Sequence, residues 1–379
     1  MTSDAPKPAR IASLDILRGA VMVLMAIDHV RVYSGIPAGG PTAGVFLTRW
    51  VTHFCAPLFV FLAGTGAYLY GRKLGDPGKL ANFLLTRGLI LVVLELTIIR
   101  FTWTFNLDYA GFTLAGVIWM LGWSMVLLAP FVRLSPRTLG LLGVAMIMFQ
   151  QLFTPLENLL PSALGTAARF LYPNNAPAPG WINILYVIVP WVGVMAAGYG
   201  FGAIMERAED ERRKFCLRVG LGMTALFLVV GTALVLTQKP GDDAPPALFR
   251  LLNQGKYPPT QLYLLMTLGP AVALIPWADR AEGWFARVLG VFGRAPMFYY
   301  LLHIPLIHAA ALAVNTVRDG MAHQAWYEHA PYVQMAPEQR WSLTLLYVVW
   351  ALCVALLYPA CRWYARRKAE RPAAWMRYI

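Results

Sequence analysis

The stretch SLDILRGAVMVLMAIDHVRVY, Ser13 to Tyr33, decides how this chain is read. Asp15 and Arg18 stand near its start, an almost unbroken apolar run follows, and Asp28, His29 and Arg31 close it. As a helix rising about 1.5 Å per residue, the stretch is long enough to cross the apolar part of a bilayer with charge near each end. Ionisable side chains at such depth are costly unless they pair or line a wet cavity, so both clusters are candidate functional residues. Asp15 with Arg18, and Asp28 with Arg31, are each three apart and can pair on one helix face. Such pairs also serve as plain interfacial clamps; His29 is harder to explain as packing.

The composition around this stretch agrees with it. Hydrophobic residues make up 58% of the 379 and charged residues 13%, with a mean hydropathy of +0.54. Soluble domains carry roughly a quarter charged residues, so the expected class is a polytopic, all-α integral membrane protein. Ten apolar segments can be drawn, near 14–34, 46–70, 81–100, 107–129, 137–154, 181–204, 214–237, 260–277, 285–315 and 341–364. Barrel strands would be much shorter and alternate in polarity, which favours about ten membrane helices. The ninth segment is long enough to tilt, kink or break at Pro305. The polar tail MTSDAPKPAR and the long first segment do not fit a cleavable signal peptide. We expect one domain over 1–379, with residues 1–13 a short tail and 365–379 a basic one.

The net charge of +13 sits mainly in short connections. With the N-terminus placed in the cytoplasm, the clusters at Lys7/Arg10, Arg72/Lys73/Lys79/Arg87, Arg133/Arg137, Arg207 to Arg218, Arg280/Arg287 and Arg362 to Lys368 all fall on that side. This is the positive-inside pattern, with both termini cytoplasmic, and it accounts for the charge without nucleic acid. The loops assigned outward, 155–180, 238–259 and 316–340, are long and rich in Pro, Gly and aromatics; within them NAPAPG and KYPPT can order against a rim. The four cysteines show no CxxC spacing, so neither a disulfide framework nor a metal is expected. Gly64 to Gly66, inside the second segment, reads as helix packing and not as a phosphate loop.

Further polar residues collect at the same end as His29. Arg49 and His53 open the second segment about one turn apart, and Pro57 four residues later should loosen the helix and free a backbone carbonyl near His53. His29 and His53, on successive antiparallel helices at similar depth, form a candidate catalytic or proton-handling pair, with interfacial hydrogen bonding as the simpler alternative. Arg100, Asn106 and Asp108 make another polar group among aromatics, where Asp108 can partner a base or simply cap a helix. Tyr299 and His303 are four apart and can face one cavity; His303 and His308, five apart, are a poor metal pair.

The run R-x-x-SLD-x-LRG, then LMAIDHVR, then THFCAPLFVFLAGTGAYL, resembles bacterial members of the heparan-alpha-glucosaminide N-acetyltransferase-like family, strongest over Arg10–Tyr70 and Gly293–His308. More distantly it is similar to the transmembrane acyltransferases that include the YeiB-like and glucan-modifying proteins. Asp15, Arg18 and Gly19 match the family's first-helix signature, and Pro57, Phe59 and Gly64 its second-helix signature. The resemblance implies a bacterial inner-membrane, multi-pass enzyme that takes an acetyl group from cytoplasmic acetyl-CoA and passes it to a carbohydrate-like acceptor on the other side. It also implies a catalytic histidine just after the first span. There this chain offers His29 and His53, and the family's glycine-rich aromatic segment is replaced by YSGIPAGGPTAGVF.

Acyl transfer from a thioester needs a base or acyl carrier, a group that orients it, and donors for the oxyanion. The expected assignment is His29, His53 or His303 as base or carrier, with Asp28 or Asp108 orienting it. Arg31, Arg49, Tyr299, Arg100 and Asn106 would serve as substrate or oxyanion donors. Asp15, Arg18, Arg72, Lys73 and Arg87 would lie at the CoA end. Buried charges and histidines suit a proton-coupled transporter equally well by composition, and a non-catalytic assembly protein would explain the topology alone. The oligomeric state stays open.

Overall fold

The computed structural model describes residues 11–40, 42–155, 159–172, 182–239, 241 and 244–378. The NAPAPG stretch, most of the N-terminal tail with Lys7 and Arg10, and residues 242–243 lie outside the described residues. The described residues are mostly helical: α1 (Ala12–Tyr33), α2 (Ala43–Trp50), α3 (Cys55–Leu74), α4 (Pro77–Leu94), α5 (Arg100–Thr104), α6 (Val117–Leu128), α7 (Pro136–Met148), α8 (Ser162–Leu171), α9 (Val189–Met205), α10 (Glu209–Thr237), α11 (Ala247–Leu252), α12 (Gln261–Asp279), α13 (Gly283–Arg294), α14 (Pro296–Asp319) and α15 (Leu343–Glu370). One short parallel pair, β1 (Thr113–Ala115) with β2 (Ile182–Ile184), ties the loop before α6 to the one before α9.

Among the described residues six helical stretches are long and apolar enough to cross a membrane: 43–74, 77–104, 209–237, 261–279, 296–319 and 343–370. Three shorter apolar stretches, 117–131, 136–148 and 189–205, lie among them. Helix α1 has the length but carries Asp15, Arg18, Asp28 and Arg31, and it runs through the middle of the protein, packed by α3, α12, α13, α14 and α15. Its charges thus face protein and not lipid.

Two glycine pairs set this packing. A Cβ on Gly19 would overlap the Leu289 carbonyl and one on Gly293 the Asp15 carbonyl, so α1 and α13 touch backbone to backbone. Gly64 and Gly198 do the same for α3 and α9, against the carbonyls of Met195 and Phe61. Small residues at such crossings are the usual means of close approach where apolar burial alone cannot drive helices together. The α3–α4 turn is equally legible: Gly75 ends α3 with φ of 66°, Asp76 caps α4, and Pro77 opens it. The N–H groups of Lys79 and Gly78 hold the Asp76 carboxyl below the usual carboxylate range.

Several expected boundaries differ, among them the start of the sixth segment, where helix begins only at Val189 after β2. The ninth segment breaks at Ala295 and Pro296, between α13 and α14, while Pro305 sits inside a continuous α14. Residues 107–116 are loop and strand, and helix begins only at Val117, after Gly116. Helix α4 continues through a wider π-type turn at Glu95–Ile99 into α5, and that turn accompanies the inward placement of both Glu95 and Arg100, each 1% exposed.

Candidate active site

A cavity of about 260 Å³ lies at one end of α1, walled by Asp28, His29 and Arg31 of α1, Arg49 and Thr52, Glu95, and aromatic residues from distant parts of the chain: Trp103, Tyr186, Tyr257, Tyr300 and Tyr332. The ionic part is local. The Asp28 carboxylate takes Arg31 Nε at 3.1 Å and Arg49 Nη1 at 3.5 Å, one anion between two guanidiniums. Arg31 also donates to the Ile36 carbonyl at 2.7 Å and Arg49 to Thr52 Oγ1 at 3.0 Å. Each member is therefore held by more than one contact, which a buried ion pair needs if its attraction is to offset desolvation.

His29 is not paired with His53. Its Nδ1 lies 2.6 Å from Nε2 of His303, which is fully buried on α14, and the two rings stack at 4.8 Å. His303 Nδ1 stands 2.7 Å from the Tyr300 carbonyl and 3.2 Å from that of Tyr299. A carbonyl only accepts, so Nδ1 of His303 carries a proton, and in the neutral ring Nε2 is an acceptor. His29 Nδ1 then donates to it, which leaves the lone pair of neutral His29 on Nε2. The hydrogen-bond chain thus fixes the His29 tautomer, as the second partner of a functional imidazole usually does. Trp103 presses on the His29 ring at a centroid distance of 4.8 Å and holds its plane.

His53 is buried but outside the cavity wall; its Nδ1–H is shared by the carbonyls of Arg49 and Trp50, both at 3.1 Å. The loosened turn anticipated before Pro57 is present as a tight turn over Val51–Phe54. In a regular helix residue 57 would donate to the carbonyl of His53, and proline has no N–H to do so. Tyr263 Oη takes over, donating to the His53 carbonyl at 2.7 Å.

The group Arg100, Asn106 and Asp108 likewise lies away from the cavity. Arg100 donates to the carbonyls of Phe112 and Asn106, to the Asp108 carbonyl, and to the side chains of Thr104 and Asn106. It staples the loop that leads into β1, and Asp108, exposed, accepts from the Gly111 N–H at 2.9 Å. Tyr299 stacks on His303 and is not in the cavity wall, whereas Tyr300 is. His308 lies outside the cavity wall, packed against Phe105 and Tyr33.

A second cavity, of about 680 Å³, lies toward the other end of α1 and is strongly basic: Arg18, Arg87, Arg294, Arg366, Lys368 and Arg377 line it, with Glu370 the one acid among the described residues of its wall. Arg18 is fixed there by its bond to the Leu62 carbonyl at 2.9 Å and its 3.6 Å contact with Asp15. Of the residues expected at this end, Arg18 and Arg87 line the cavity. Asp15 acts through Arg18, and Arg72 pairs with Glu206 on the exposed surface at 3.2 Å, with Lys73 exposed beside it. The basic residues after position 290 were not anticipated as part of one site, because nothing local links them to Arg18. Phe59 and Leu121 belong to the walls of both cavities, so these two side chains lie between them.

Other residues of the first cavity were equally beyond local reading. Glu95 accepts from the Ile118 N–H at 3.1 Å, capping the start of α6. Lys256 and Tyr257 come from the KYPPT loop, whose ordering against a rim was the only sequence signal for them. Among the described residues no group of His, Cys, Asp and Glu converges as a metal site would require.

A helical, apolar protein with a buried ionic and histidine centre is a multi-pass membrane protein. The family model described as heparan-alpha-glucosaminide N-acetyltransferase, catalytic, matches residues 10–241, and the chain belongs to that family. Membership implies a membrane-embedded acetyltransferase. Among curated proteins no match is found.

Proposed function

We propose that this protein transfers an acetyl group from acetyl-CoA, bound at the basic cavity, to a hydroxyl or amine of a carbohydrate-like acceptor bound beside His29. We further propose a ten-span topology with both termini in the cytoplasm of a bacterial inner membrane, so that donor and acceptor meet from opposite sides. The observation that carries the reading is the adjacency of the two cavities, which share Phe59 and Leu121 in their walls, with the His29 imidazole in the wall of one and six cations in that of the other.

The residues suit their parts. Arg18, Arg87, Arg294, Arg366, Lys368 and Arg377 supply the charge that CoA phosphates demand, and the buried Arg87 Nε has no hydrogen-bond partner among the described residues. In this reading the thioester arm reaches the acceptor cavity past Phe59 and Leu121, the side chains common to both walls. In the first cavity, His29 Nε2 removes the acceptor's proton as its oxygen or nitrogen attacks the thioester carbonyl. Arg49, Thr52 and Tyr300 face the same space and offer donors to the oxyanion. As the C–S bond breaks, His29 returns the proton to the departing thiolate, so the cycle closes with no net change in the protein. A proton-coupled transporter leaves the basic cavity without a role, and an assembly protein leaves the oriented His29 without one.

Purified protein in liposomes, supplied with labelled acetyl-CoA and a panel of amino and neutral sugars, should release CoA and label an acceptor. His29→Ala should lower that rate at least about a hundredfold, in line with the loss of a general base. Absence of acetyl-CoA binding by the folded protein would overturn the reading.

A further inference from the structure

Residues 371–378 turn back from the end of α15 and run along the basic cavity. Ala374–Arg377 make one tight turn, and the chain then reaches α4, where the Tyr378 ring stacks on Phe83 at a centroid distance of 5.7 Å. Phe83 in turn packs on Tyr70 of α3 at 4.5 Å, and both of these rings line the cavity. The segment thus bridges α15 and α4 and brings Arg377 into the wall they share. It lies beyond residues 10–241, so the family match does not account for it.

Three side chains hold the segment in place. Met376 is 3% exposed, Tyr378 meets Phe83, and Trp375 leans on Tyr364 at 6.2 Å. Its hydrogen bonds are those of its own turns, from the N–H of Arg371 to Arg367, of Met376 to Ala373 and of Tyr378 to Trp375. Among the described residues no side chain of 371–378 forms a hydrogen bond or ion pair with the rest of the protein. A segment tied by so few apolar contacts opens far more readily than the helices beneath it.

Charge works against its seated position. Seating places Arg377 in a wall that already holds Arg18, Arg87, Arg294, Arg366 and Lys368, with Glu370 the one acid among the described residues there. Like charges gathered in one wall repel, and a bound polyanion turns that repulsion into attraction. The seated and unseated positions therefore differ in affinity for an anionic ligand, and only such a difference lets a ligand move an equilibrium.

We propose that residues 371–378 are a strap over the basic cavity, that the polyanionic donor closes it, and that its opening governs release of the spent CoA. The inference rests on the donor reading of that cavity. Arg377 meets the phosphates from the strap, while Met376 and Tyr378 are positioning residues that seat it.

The test uses the full-length protein in detergent with a reporter thiol in the cavity wall, Ala63→Cys or Ala67→Cys, the four native cysteines being buried. Modification by an anionic methanethiosulfonate reads access to the cavity independently of CoA. Removal of residues 371–379, and separately Tyr378→Ala, should speed modification at least about tenfold, as loss of a closed state does. Arg377→Gln should not speed it. A segment acting through its charge alone predicts the opposite, because removing a cation slows an anionic reagent. Dissociation of labelled CoA should be faster by about the same factor in the truncated protein and in Tyr378→Ala, with little change in its association. Modification at the parent's rate in both variants, or CoA dissociation at the parent's rate, would overturn the inference and leave donor binding standing. If the parent binds no CoA, the donor reading fails and modification with and without inorganic pyrophosphate decides. Slowing by pyrophosphate that is lost in Tyr378→Ala upholds a strap closed by polyanions, and equal rates throughout overturn it.

Discussion

His29 Nδ1 and His303 Nε2 stand 2.6 Å apart, and the proton between them is directed by the Tyr300 carbonyl behind His303. In the mechanism we propose, His303 touches no reacting atom and serves as a positioning residue that leaves the His29 lone pair on Nε2. Replacement by phenylalanine keeps the bulk but removes the acceptor. His303→Phe should lower kcat by roughly ten- to a hundredfold, as loss of such outer partners does, with little change in KM for acetyl-CoA. It should also displace the acidic limb of the pH–rate profile, which a merely structural role would not do.

The Asp28 carboxylate between Arg31 and Arg49 is a stability element as well as a wall of the site. Asp28→Ala leaves two buried guanidiniums facing each other, and breaking a buried pair this way costs about 3–5 kcal/mol. The variant should unfold at lower temperature in detergent than the parent. In a double-mutant cycle with Arg49→Met, a smaller loss for the double variant than for Asp28→Ala alone would measure the uncompensated charge.

The backbone contact of α1 with α13 leaves no room for a methyl group at Gly19 or Gly293, since the atoms in the way are main-chain carbonyls. Gly19→Ala and Gly293→Ala should each destabilise by about 1–3 kcal/mol or prevent folding, and should shift the elution of the detergent-solubilised protein. Gly222→Ala, at a position with open space around it, should do neither.

Phe59 is part of both cavity walls. If it excludes water while passing the thioester arm, Phe59→Ala should raise acetyl-CoA hydrolysis relative to transfer by several-fold. Phe59→Trp should lower transfer while acetyl-CoA binding, measured by calorimetry, persists. Both are read from CoA release and acceptor labelling in one assay.

Arg87 and Arg294 come from α4 and α13 to one basic wall. Each changed to alanine should raise KM for acetyl-CoA about tenfold with little effect on KM for the acceptor, and dephospho-CoA thioesters should lose less. Raising salt should mimic the effect partially, as screening of partly exposed charges predicts.

Much of the scaffold was readable from the order of residues. The 3.6-residue period and the lengths of the apolar runs are local properties, so helices were expected in each segment and are found there. The Asp28–Arg31 pair follows from a spacing of three on one helix, and the free carbonyl at His53 follows from the missing N–H of Pro57. The packing role of Gly64 was legible for the same reason: a residue without a side chain in an apolar helix has few other uses.

What chain order by itself could not supply was the partner of each polar group. His29 was read beside His53 because they are close in sequence and similar in depth, yet its bond goes to a residue 274 positions away. Lys256 and the cations after position 290 were scattered charges in loops and tails until folding drew them to the two cavities. The reason is physical. Backbone hydrogen bonding and periodic burial are satisfied within a few residues, whereas a buried charge or imidazole must find whatever group the packing of distant helices brings near it. The Ser13–Tyr33 stretch carried its own charges and its own length, but the neighbours of those charges were decided only when α3, α12, α13, α14 and α15 closed around it.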